Sequence, residues 1–288
     1  MILIFGASGF LGSTIANYIS AGEQVIAVTR PDSLNSRLRE TPHIKIVQVA
    51  ENLWPNLVEH YKANIIICAQ WDGVAKSKRN NQSTQLKNLR QITDLALIAK
   101  ANNCRKFIAL GSQAEAEQSQ TPIREEYIDS GTDWYGKTKS LLCSNLMEIF
   151  EGSQTSFIWA RVFSIYGPGE ERESLIPELL RAKALGNSFT IKEPSKLWSL
   201  LYSSDFAAAI QVLVKDNFTT PIVNVAHPEL ITIKQICENL PNIHVVYTRS
   251  DSLSDIGYFP VVSKLKALGW HPRVSIAEGC KITKEFFE

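Results

Sequence analysis

The first twelve residues constrain the fold more than any other part of the sequence. An apolar run at 2–5 leads directly into Gly6, Gly9 and Gly12, spaced Gly-x-x-Gly-x-x-Gly, and a helical pattern of apolar residues follows over 10–21. Glycines let a backbone turn sharply and approach another group closely, while a helix N-terminus offers free N–H groups and partial positive charge. This order of strand, glycine loop and helix predicts a unit that holds the pyrophosphate of a dinucleotide.

The rest of the first half alternates strand-like and helical segments. Further strands are predicted at 24–29, 44–49, 65–69, 107–110 and 156–160, and long helices at 82–102 and 134–150. The helix over 82–102 follows from apolar residues at helical spacing, namely Leu86, Leu89, Ile92, Leu95, Ala96 and Ala99. This alternation predicts an α/β fold with a Rossmann-like doubly wound parallel sheet.

The rhythm changes after about residue 163. Helices are predicted over 175–185, 204–214 and 275–287, and short strands over 197–202, 222–225 and 244–247. We therefore predict an NAD(P)-binding Rossmann domain over residues 1–163 and a smaller C-terminal substrate-binding lobe over 164–288. Some segments of this lobe are expected to return to the first domain.

Charge and composition exclude several classes of function. The net charge of +1 gives no global field that would attract nucleic acid or an anionic membrane. No apolar run approaches the ~20 residues needed to span a bilayer, and a strand that begins at residue 2 leaves no room for a signal peptide. The five cysteines form no CxxC pair and predict buried, reduced thiols, and the five histidines lack ligand spacing. We therefore expect a cytoplasmic protein without a metal.

Three residues predict the chemistry. Tyr135 and Lys139 lie four positions apart near the start of a predicted helix, so their side chains share one face. An ammonium beside a phenol favours the phenolate and lowers the phenol pKa from its ordinary value of ~10. Ser112 follows the strand at 107–110, at the sheet edge where ligands bind, and its hydroxyl can donate to a substrate carbonyl. We predict that Tyr135 transfers the proton, Lys139 tunes it and Ser112 orients the carbonyl oxygen.

Arg30 bears on the choice of cofactor. It follows the second strand, where an NAD-selective site carries an acidic residue for the ribose hydroxyls. A guanidinium instead pairs with a 2′-phosphate, and Arg37 is a second candidate. The sequence therefore favours NADP; the alternative is a solvated Arg30 with NAD bound. The glycine loop supplies the other predicted cofactor contacts, from Gly6, Ser8, Gly9, Phe10, Leu11 and Gly12.

Seven short motifs lie at residues 6–12, 68–71, 111–115, 135–139, 161–169, 202–205 and 264–272. Together they resemble the extended short-chain dehydrogenase/reductase family, specifically its nucleotide-sugar epimerase, dehydratase and reductase group. The resemblance implies a nucleotide-diphosphate-linked sugar as substrate and further cofactor contacts from Cys68, Ala69, Gln70, Tyr135 and Lys139. It also suggests a homodimer built on the helices at 82–102 and 134–150. The alternative is that the apolar faces of these helices only cover the sheet.

Departures from the family pattern narrow the expected activity. Sugar dehydratases of this group carry Asp-Glu directly after the catalytic hydroxyl residue, where this chain has Gln113 and Ala114. Water elimination then lacks its acid and base, and Glu115 is one position out of place. The stretch from Gly111 to Glu115, together with Arg30, resembles the 4-keto-reductase members such as CDP-abequose and CDP-paratose synthases.

The substrate contacts are predicted less directly. Many relatives have Asn where this chain has Ser164, and they place a diphosphate-binding arginine where it has Arg249; a surface arginine is the alternative there. Trp71 and Trp198 are expected to line a pocket or to be core residues. The substrate candidates are therefore Trp71, Gln113, Ser164, Trp198 and Arg249. Arg161 is expected in a buried ion pair, and Asp205 is expected to cap a helix.

These expectations lead to one preferred function and two alternatives. The preferred function is NADPH-dependent reduction of the 4-keto group of a nucleotide-linked deoxysugar. The first alternative is an NAD(P)-dependent 4-epimerase, which uses the same three residues and consumes no cofactor. The second is a regulatory protein that binds NADP without chemistry, and an intact set of Ser112, Tyr135 and Lys139 argues against it.

Overall fold

A computed structural model describes residues 1–126, 128, 130–216, 220–240, 243–248 and 257–287. The strands are β1 Ile2–Phe5, β2 Val25–Thr29, β3 Ile44–Gln48, β4 Ile65–Cys68, β5 Lys106–Ser112, β6 Pro122–Ile123, β7 Ser156–Val162, β8 Ser164–Tyr166, β9 Phe189–Ile191, β10 Leu197–Trp198, β11 Leu200–Tyr202, β12 Ile222–Val225, β13 Ile231–Thr232, β14 Val245–Tyr247 and β15 Phe259–Pro260. The helices are α1 Phe10–Ile19, α2 Trp54–His60, α3 Gln82–Ala101, α4 Trp134–Phe150, α5 Leu175–Ala184, α6 Ser203–Lys215, α7 Ile233–Glu238, α8 Ser263–Ala267 and α9 Ile276–Phe287.

The main sheet of the described chain has seven strands in the order β12-β7-β5-β4-β1-β2-β3. In this spatial order, each neighbouring pair of strands from β7 to β3 is parallel. The central strands β1, β4 and β5 are buried along their whole length, which is why β1, β4 and residues 107–110 of β5 are apolar without alternation. The predicted Rossmann-like α/β fold is confirmed.

One strand lies elsewhere than the sequence pattern suggested. Residues 222–225 were expected as a short strand of the smaller lobe, but β12 is hydrogen-bonded beside β7 at the edge of the main sheet. All four of its residues are buried. A four-residue, mostly apolar run does not reveal its strand partner, because both a small and a large sheet can bury it.

The large core packs α2, α3 and α4 against one face of the main sheet. The apolar stripe predicted for α3 is partly wrong, because Leu86 is 42% exposed while Gln85 and Asn88 are buried at 0% and 2%. Ile92, Leu95, Ala96 and Ala99 do face the core. The first two turns of α3 therefore bury the side-chain amides of Gln85 and Asn88 and expose Leu86. The two amides contact the segment that follows β4.

The chain divides into two compact units. The first comprises residues 1–116, 126–162 and 207–223, and the second comprises 117–125, 163–206 and 224–288. The second unit has its own core, with Tyr166, Leu179, Ile236 and Cys280 among its buried residues. The assignment of residues 1–163 to cofactor and 164–288 to substrate stays a prediction.

The structure bears on the cysteines and on membrane crossing, two points for which the sequence gives expectations. All five cysteines are buried and unpaired, as predicted. Among the described residues, no helix combines the length and the apolar character that crossing a bilayer requires.

Candidate active site

The glycine loop joins β1 to α1 and contains glycines of two kinds. Gly6 has a φ of +79°, and a Cβ there would lie 2.5 Å from the backbone of Gln70. A Cβ on Gly12 would collide with the carbonyl oxygen of Gly6. A Cβ on Gly9 would meet only that same oxygen, at an ordinary 3.5 Å. The fold itself therefore requires Gly6 and Gly12, whereas Gly9 leaves open space at the start of α1.

That open space lies at an uncapped helix N-terminus. Gly9 is the N-cap residue of α1 and has no side chain to accept from the first-turn amides. Ser8, Phe10 and Leu11 are half-buried around it. Free amides, partial positive charge and the absence of a side chain form a cradle that fits a pyrophosphate.

The segment after β4 is fixed by the buried amides of α3. The indole N–H of Trp71 donates to Gln85 Oε1 at 2.8 Å. Asn88 Oδ1 accepts from the backbone N–H of Asp72 at 3.0 Å, and its amide group donates to the Asp72 carbonyl at 2.8 Å. Sequence reasoning missed both amides, because polar residues within a helical pattern are normally solvated.

Asp72, which these hydrogen bonds hold in place, forms an ion pair with Arg30, the residue expected to influence the choice between NADP and NAD. Arg30 Nη1 lies 2.9 Å from Asp72 Oδ1, and the two side chains are 68% and 44% exposed. The Gln48 side chain donates to the carbonyls of Pro31 and Ser33 at 3.0 and 3.1 Å. The loop after β2 is therefore fixed, while the head of Arg30 remains accessible to solvent.

Ser112 and Tyr135 are brought together by a close contact between two elements. Ser112 ends β5 and caps the short turn Gln113–Glu115, where its Oγ accepts from the Ala114 amide. Tyr135 lies in the first turn of α4, and a Cβ on its neighbour Gly136 would collide with the Ala114 carbonyl oxygen. Because Gly136 has no side chain, α4 approaches the turn closely enough for Ser112 and Tyr135 to share a side-chain hydrogen bond.

Lys139 lies on the same face of α4, one turn after Tyr135, and is buried. Its Nζ donates to the Leu110 carbonyl at 2.6 Å and lies 3.7 Å from the Trp71 ring centroid. The distance from Nζ to the Tyr135 ring centroid is 6.0 Å. Burial lowers the pKa of Lys139 to about 8, an effect that the charge of Glu115 partly offsets.

A second cation, which sequence reasoning missed, lies against Tyr135. The guanidinium carbon of Arg79 is 4.5 Å from the centre of the Tyr135 ring. Burial raises the pKa of Tyr135, whereas the hydrogen bond from Ser112 and the charge of Arg79 lower it. Arg79 lies in a polar stretch before α3, with no spacing to Tyr135 that a sequence pattern could have revealed.

The buried carboxylate of Glu115 is hydrogen-bonded to three neighbouring residues. Its carboxylate accepts from Arg161 Nε at 3.0 Å, from the Trp159 indole at 2.9 Å and from the Ser112 amide. Arg161 and Glu115 are each 1% exposed, so the buried ion pair expected of Arg161 is confirmed. Glu115 therefore fixes the backbone of Ser112 and offers no free acid beside it.

The remaining substrate candidates lie in the second unit or outside the described residues. Ser164 begins β8, and Trp198 lies in β10, opposite Ile231 of β13. Arg249 lies outside the described residues. The roles of these residues, and those of Trp71 and Gln113, stay predictions.

The expectation that Asp205 caps a helix is wrong. Asp205 lies inside the first turn of α6, and its Oδ2 accepts from the backbone N–H groups of Arg273 and Val274 at 3.0 and 2.9 Å. The carboxylate therefore ties α6 to the segment before α9, because two backbone donors of that segment are aimed at it. Its sequence position beside a predicted helix start could not reveal partners 68 and 69 positions away.

Comparison with known proteins gives one family and several relatives. The sequence model described as "NAD dependent epimerase/dehydratase family" matches residues 2–226. A trifunctional UDP-glucose 4,6-dehydratase/UDP-4-keto-6-deoxy-D-glucose 3,5-epimerase/UDP-4-keto-L-rhamnose-reductase of Arabidopsis thaliana is 23% identical over 99% of this chain and 46% of its own length. This chain thus spans about half the length of that plant relative. A GDP-L-colitose synthase of Yersinia pseudotuberculosis is 23% identical over 99% of this chain and 97% of its own.

The fold has close counterparts among solved structures. The UDP-glucuronic acid 4-epimerase of Bacillus cereus, in complex with UDP-glucuronic acid and NAD, superposes with a TM-score of 0.84 at 18% identity. The match covers 99% of this chain and 98% of that one. At this identity the likeness concerns the fold.

Proposed function

The chain belongs to the NAD dependent epimerase/dehydratase family, and from that premise we propose that it reduces the 4-keto group of a nucleotide-diphosphate-linked sugar with NADPH. The observation that carries the proposal is the hydrogen-bonded pair of Ser112 and Tyr135, with Lys139 one helical turn away. The residues directly after Ser112 offer no free acid, because Gln113 and Ala114 are uncharged and Glu115 is engaged by Arg161. This set suits proton transfer to a carbonyl oxygen better than water elimination.

The residues of the first unit have distinct roles in this proposal. The reduced nicotinamide, when bound, supplies the hydride that the sugar carbonyl carbon receives. Ser112 donates a hydrogen bond to the carbonyl oxygen, and the Tyr135 hydroxyl gives that oxygen its proton. The Lys139 ammonium stabilises the phenolate that remains. Gly6, Gly9 and Gly12 would hold the pyrophosphate at the start of α1.

The preference for NADP over NAD rests on Arg30. Its guanidinium is 68% exposed and its partner Asp72 is 44% exposed, so the ion pair costs little to open. A 2′-phosphate offers a bidentate partner with more charge than one carboxylate. The cofactor contacts proposed for Cys68, Ala69 and Gln70 follow from their place at the end of β4, beside the glycine loop.

A 4-epimerase is the second candidate, and one observation favours it. The structures to which this chain is similar include a UDP-glucose 4-epimerase and a UDP-N-acetylglucosamine 4-epimerase. An epimerase would use the same Ser112, Tyr135 and Lys139 to oxidise and then reduce the sugar, so the two functions differ in cofactor consumption. The nucleotide and the sugar are best sought by thermal-shift screening of CDP-, dTDP-, UDP- and GDP-sugars with NADPH and NADH.

Replacing the phenol tests the proposed chemistry. We expect Tyr135→Phe to lower kcat by at least ~100-fold, because general acid catalysis contributes about that factor or more. Cofactor affinity, measured by quenching of tryptophan fluorescence, should stay within about twofold of wild type. Tyr18→Phe is the matched control, since Tyr18 is an exposed residue of α1. Near-normal turnover by Tyr135→Phe would overturn the proposal, and so would a protein that binds cofactor and turns over no keto-sugar.

A further inference from the structure

Arg79 is held at the face of the Tyr135 ring by its own backbone. The turn that carries it is closed by the Lys78 and Arg79 amides, which donate to the Ala75 carbonyl at 2.8 and 3.1 Å. The next residue, Asn80, accepts at its Oδ1 from the amide of Trp134, the first residue of α4, at 3.2 Å. The turn is thereby fastened to the helix that carries Tyr135. The backbone that carries Arg79 is therefore fixed beside α4, and its guanidinium carbon lies 4.5 Å from the centre of the Tyr135 ring.

The charge of Arg79 is only loosely paired. Its buried Nε has no hydrogen-bond partner among the described residues. The carboxylate within ion-pair range is Asp133, with Oδ2 at 3.9 Å from Nε. The other oxygen of Asp133 accepts from the Gly136 amide at 2.7 Å and caps α4. The Arg79 side chain is 31% exposed and its ion-pair contact is long, so much of its charge is available to interact with the phenol ring that it faces.

In the part of the chain that the structure describes, the other charged groups that act on Tyr135 are engaged with other partners. The Lys139 ammonium is 6.0 Å from the ring centre, donates to the Leu110 carbonyl and lies over the Trp71 ring. Glu115 is neutralised by Arg161 and Asp133 caps its helix, and both anions disfavour the phenolate. Of the two described cations that face the Tyr135 ring, Arg79 lies closer to the ring centre and has the longer contact to its other partner.

We propose that Arg79 is a positioning residue for the proton donor: its guanidinium, held over the Tyr135 ring, stabilises the phenolate left after proton transfer. Tyr135 is thereby a stronger acid than burial alone would make it. The inference rests on the proposed function for its catalytic meaning, whereas the electrostatic coupling of Arg79 to Tyr135 exists without any substrate. The sequence predicts that Lys139 alone tunes Tyr135. In this proposal Arg79 and Lys139, which lie in different elements, share that role.

The coupling is tested on the cofactor-free protein by following the ionisation of Tyr135 itself. The probe is NMR of the hydroxyl-bearing ring carbon of isotope-labelled tyrosine, with the signal assigned from its loss in Tyr135→Phe. We expect the Tyr135 midpoint in Arg79→Gln to lie about one pH unit above wild type, because an opposite charge at this distance shifts a pKa by at least that amount. Arg79→Lys should recover most of the difference.

Controls separate electrostatics from structure. Arg90→Gln removes an arginine that is 85% exposed on α3 and paired with Asp94, and it should leave the Tyr135 midpoint unchanged. Circular dichroism at each pH establishes the range in which every variant is folded. Coincident titrations of wild type and Arg79→Gln would overturn the inference, and so would a wild-type Tyr135 that stays protonated over the whole folded range.

The catalytic consequence is tested by the pH profile of turnover. In the reductive direction Tyr135 must be protonated, so the rate falls as pH rises through its pKa. We expect Arg79→Gln to move this alkaline limb upward by about one pH unit and to lower kcat about tenfold with little change in KM, since a weaker acid is a poorer donor. A wild type without turnover would contradict the proposed function alone, because the NMR titration decides the coupling independently. An unchanged limb in an active Arg79→Gln would overturn the role of Arg79.

Discussion

Two arginine–carboxylate pairs in the first unit have almost the same length and opposite surroundings. Arg161 and Glu115 meet at 3.0 Å and are each 1% exposed, whereas Arg30 and Asp72 meet at 2.9 Å and are 68% and 44% exposed. The carboxylate of Glu115 also accepts from Trp159 and from the Ser112 amide. Distance alone would rank the two pairs as equals.

Burial decides what each pair can do. Removing one partner of a buried pair strands a charge in a poorly solvated interior and costs ~3–5 kcal/mol, whereas an exposed pair contributes ~0.2–1 kcal/mol. The ion pair of Arg161 and Glu115 therefore stays formed in the folded protein, and its Glu115 carboxylate holds the Ser112 amide in place. The Arg30 pair can exchange its carboxylate for a ligand phosphate at little cost.

The largest effect is expected from breaking the buried pair. Glu115→Ala removes the buried carboxylate to which Arg161 and the Trp159 indole donate, so we expect a loss of about 3–5 kcal/mol in the free energy of unfolding. Urea denaturation measures this loss, and Asp94→Ala, which removes the exposed partner of Arg90, is the control. A loss below ~1 kcal/mol would mean that burial does not distinguish the two pairs.

An intermediate effect is expected for Arg30→Ala. A lost charge-assisted hydrogen bond to phosphate costs ~1.5–3 kcal/mol, so the Kd for NADPH should rise roughly tenfold to a hundredfold. The Kd for NADH should barely change, since that cofactor has no 2′-phosphate. Fluorescence titration with both cofactors measures the two values, and Arg90→Ala is the control. If the two Kd values rise equally, or if neither changes, Arg30 is a solvated surface residue that does not contact the 2′-phosphate.

The smallest effect is expected for Asp72→Asn. This change frees Arg30 from a competing carboxylate, so NADPH should bind a few-fold more tightly while NADH affinity stays constant. The stability of the fold should change by less than ~1 kcal/mol, as is usual for exposed pairs. Weaker NADPH binding by Asp72→Asn would show that Asp72 supports the cofactor site rather than competing in it.

The sequence predicted those parts of the molecule that depend on local patterns. Runs such as Ile2–Phe5 and Ile65–Cys68 are apolar on both faces, which only the interior of a parallel sheet explains. The spacing of Tyr135 and Lys139 placed them on one helical face, because helix geometry is fixed. The family resemblance then supplied the expected substrate class.

The sequence could not predict partners that only tertiary packing brings together. Arg79 contacts Tyr135, which lies 56 positions later in the sequence, and no motif around Arg79 indicates this contact. The buried amides Gln85 and Asn88 looked like the polar side of α3, since periodicity counts apolar residues and cannot foresee a loop that needs hydrogen bonds. The edge position of β12 depended on which strand it would meet, which a four-residue run does not encode.

The central claim is that Ser112, Tyr135 and Lys139 carry out a net reduction. It is tested most directly by mixing the enzyme with NADPH and a 4-keto nucleotide sugar, and following the absorbance of the reduced nicotinamide together with the sugar product. We predict one NADPH consumed for each keto group reduced, and consumption at least ~100-fold slower with Tyr135→Phe. Unchanged NADPH absorbance with the 4-keto sugar, together with conversion of a 4-hydroxy nucleotide sugar into its 4-epimer in a parallel reaction, would contradict a net reduction.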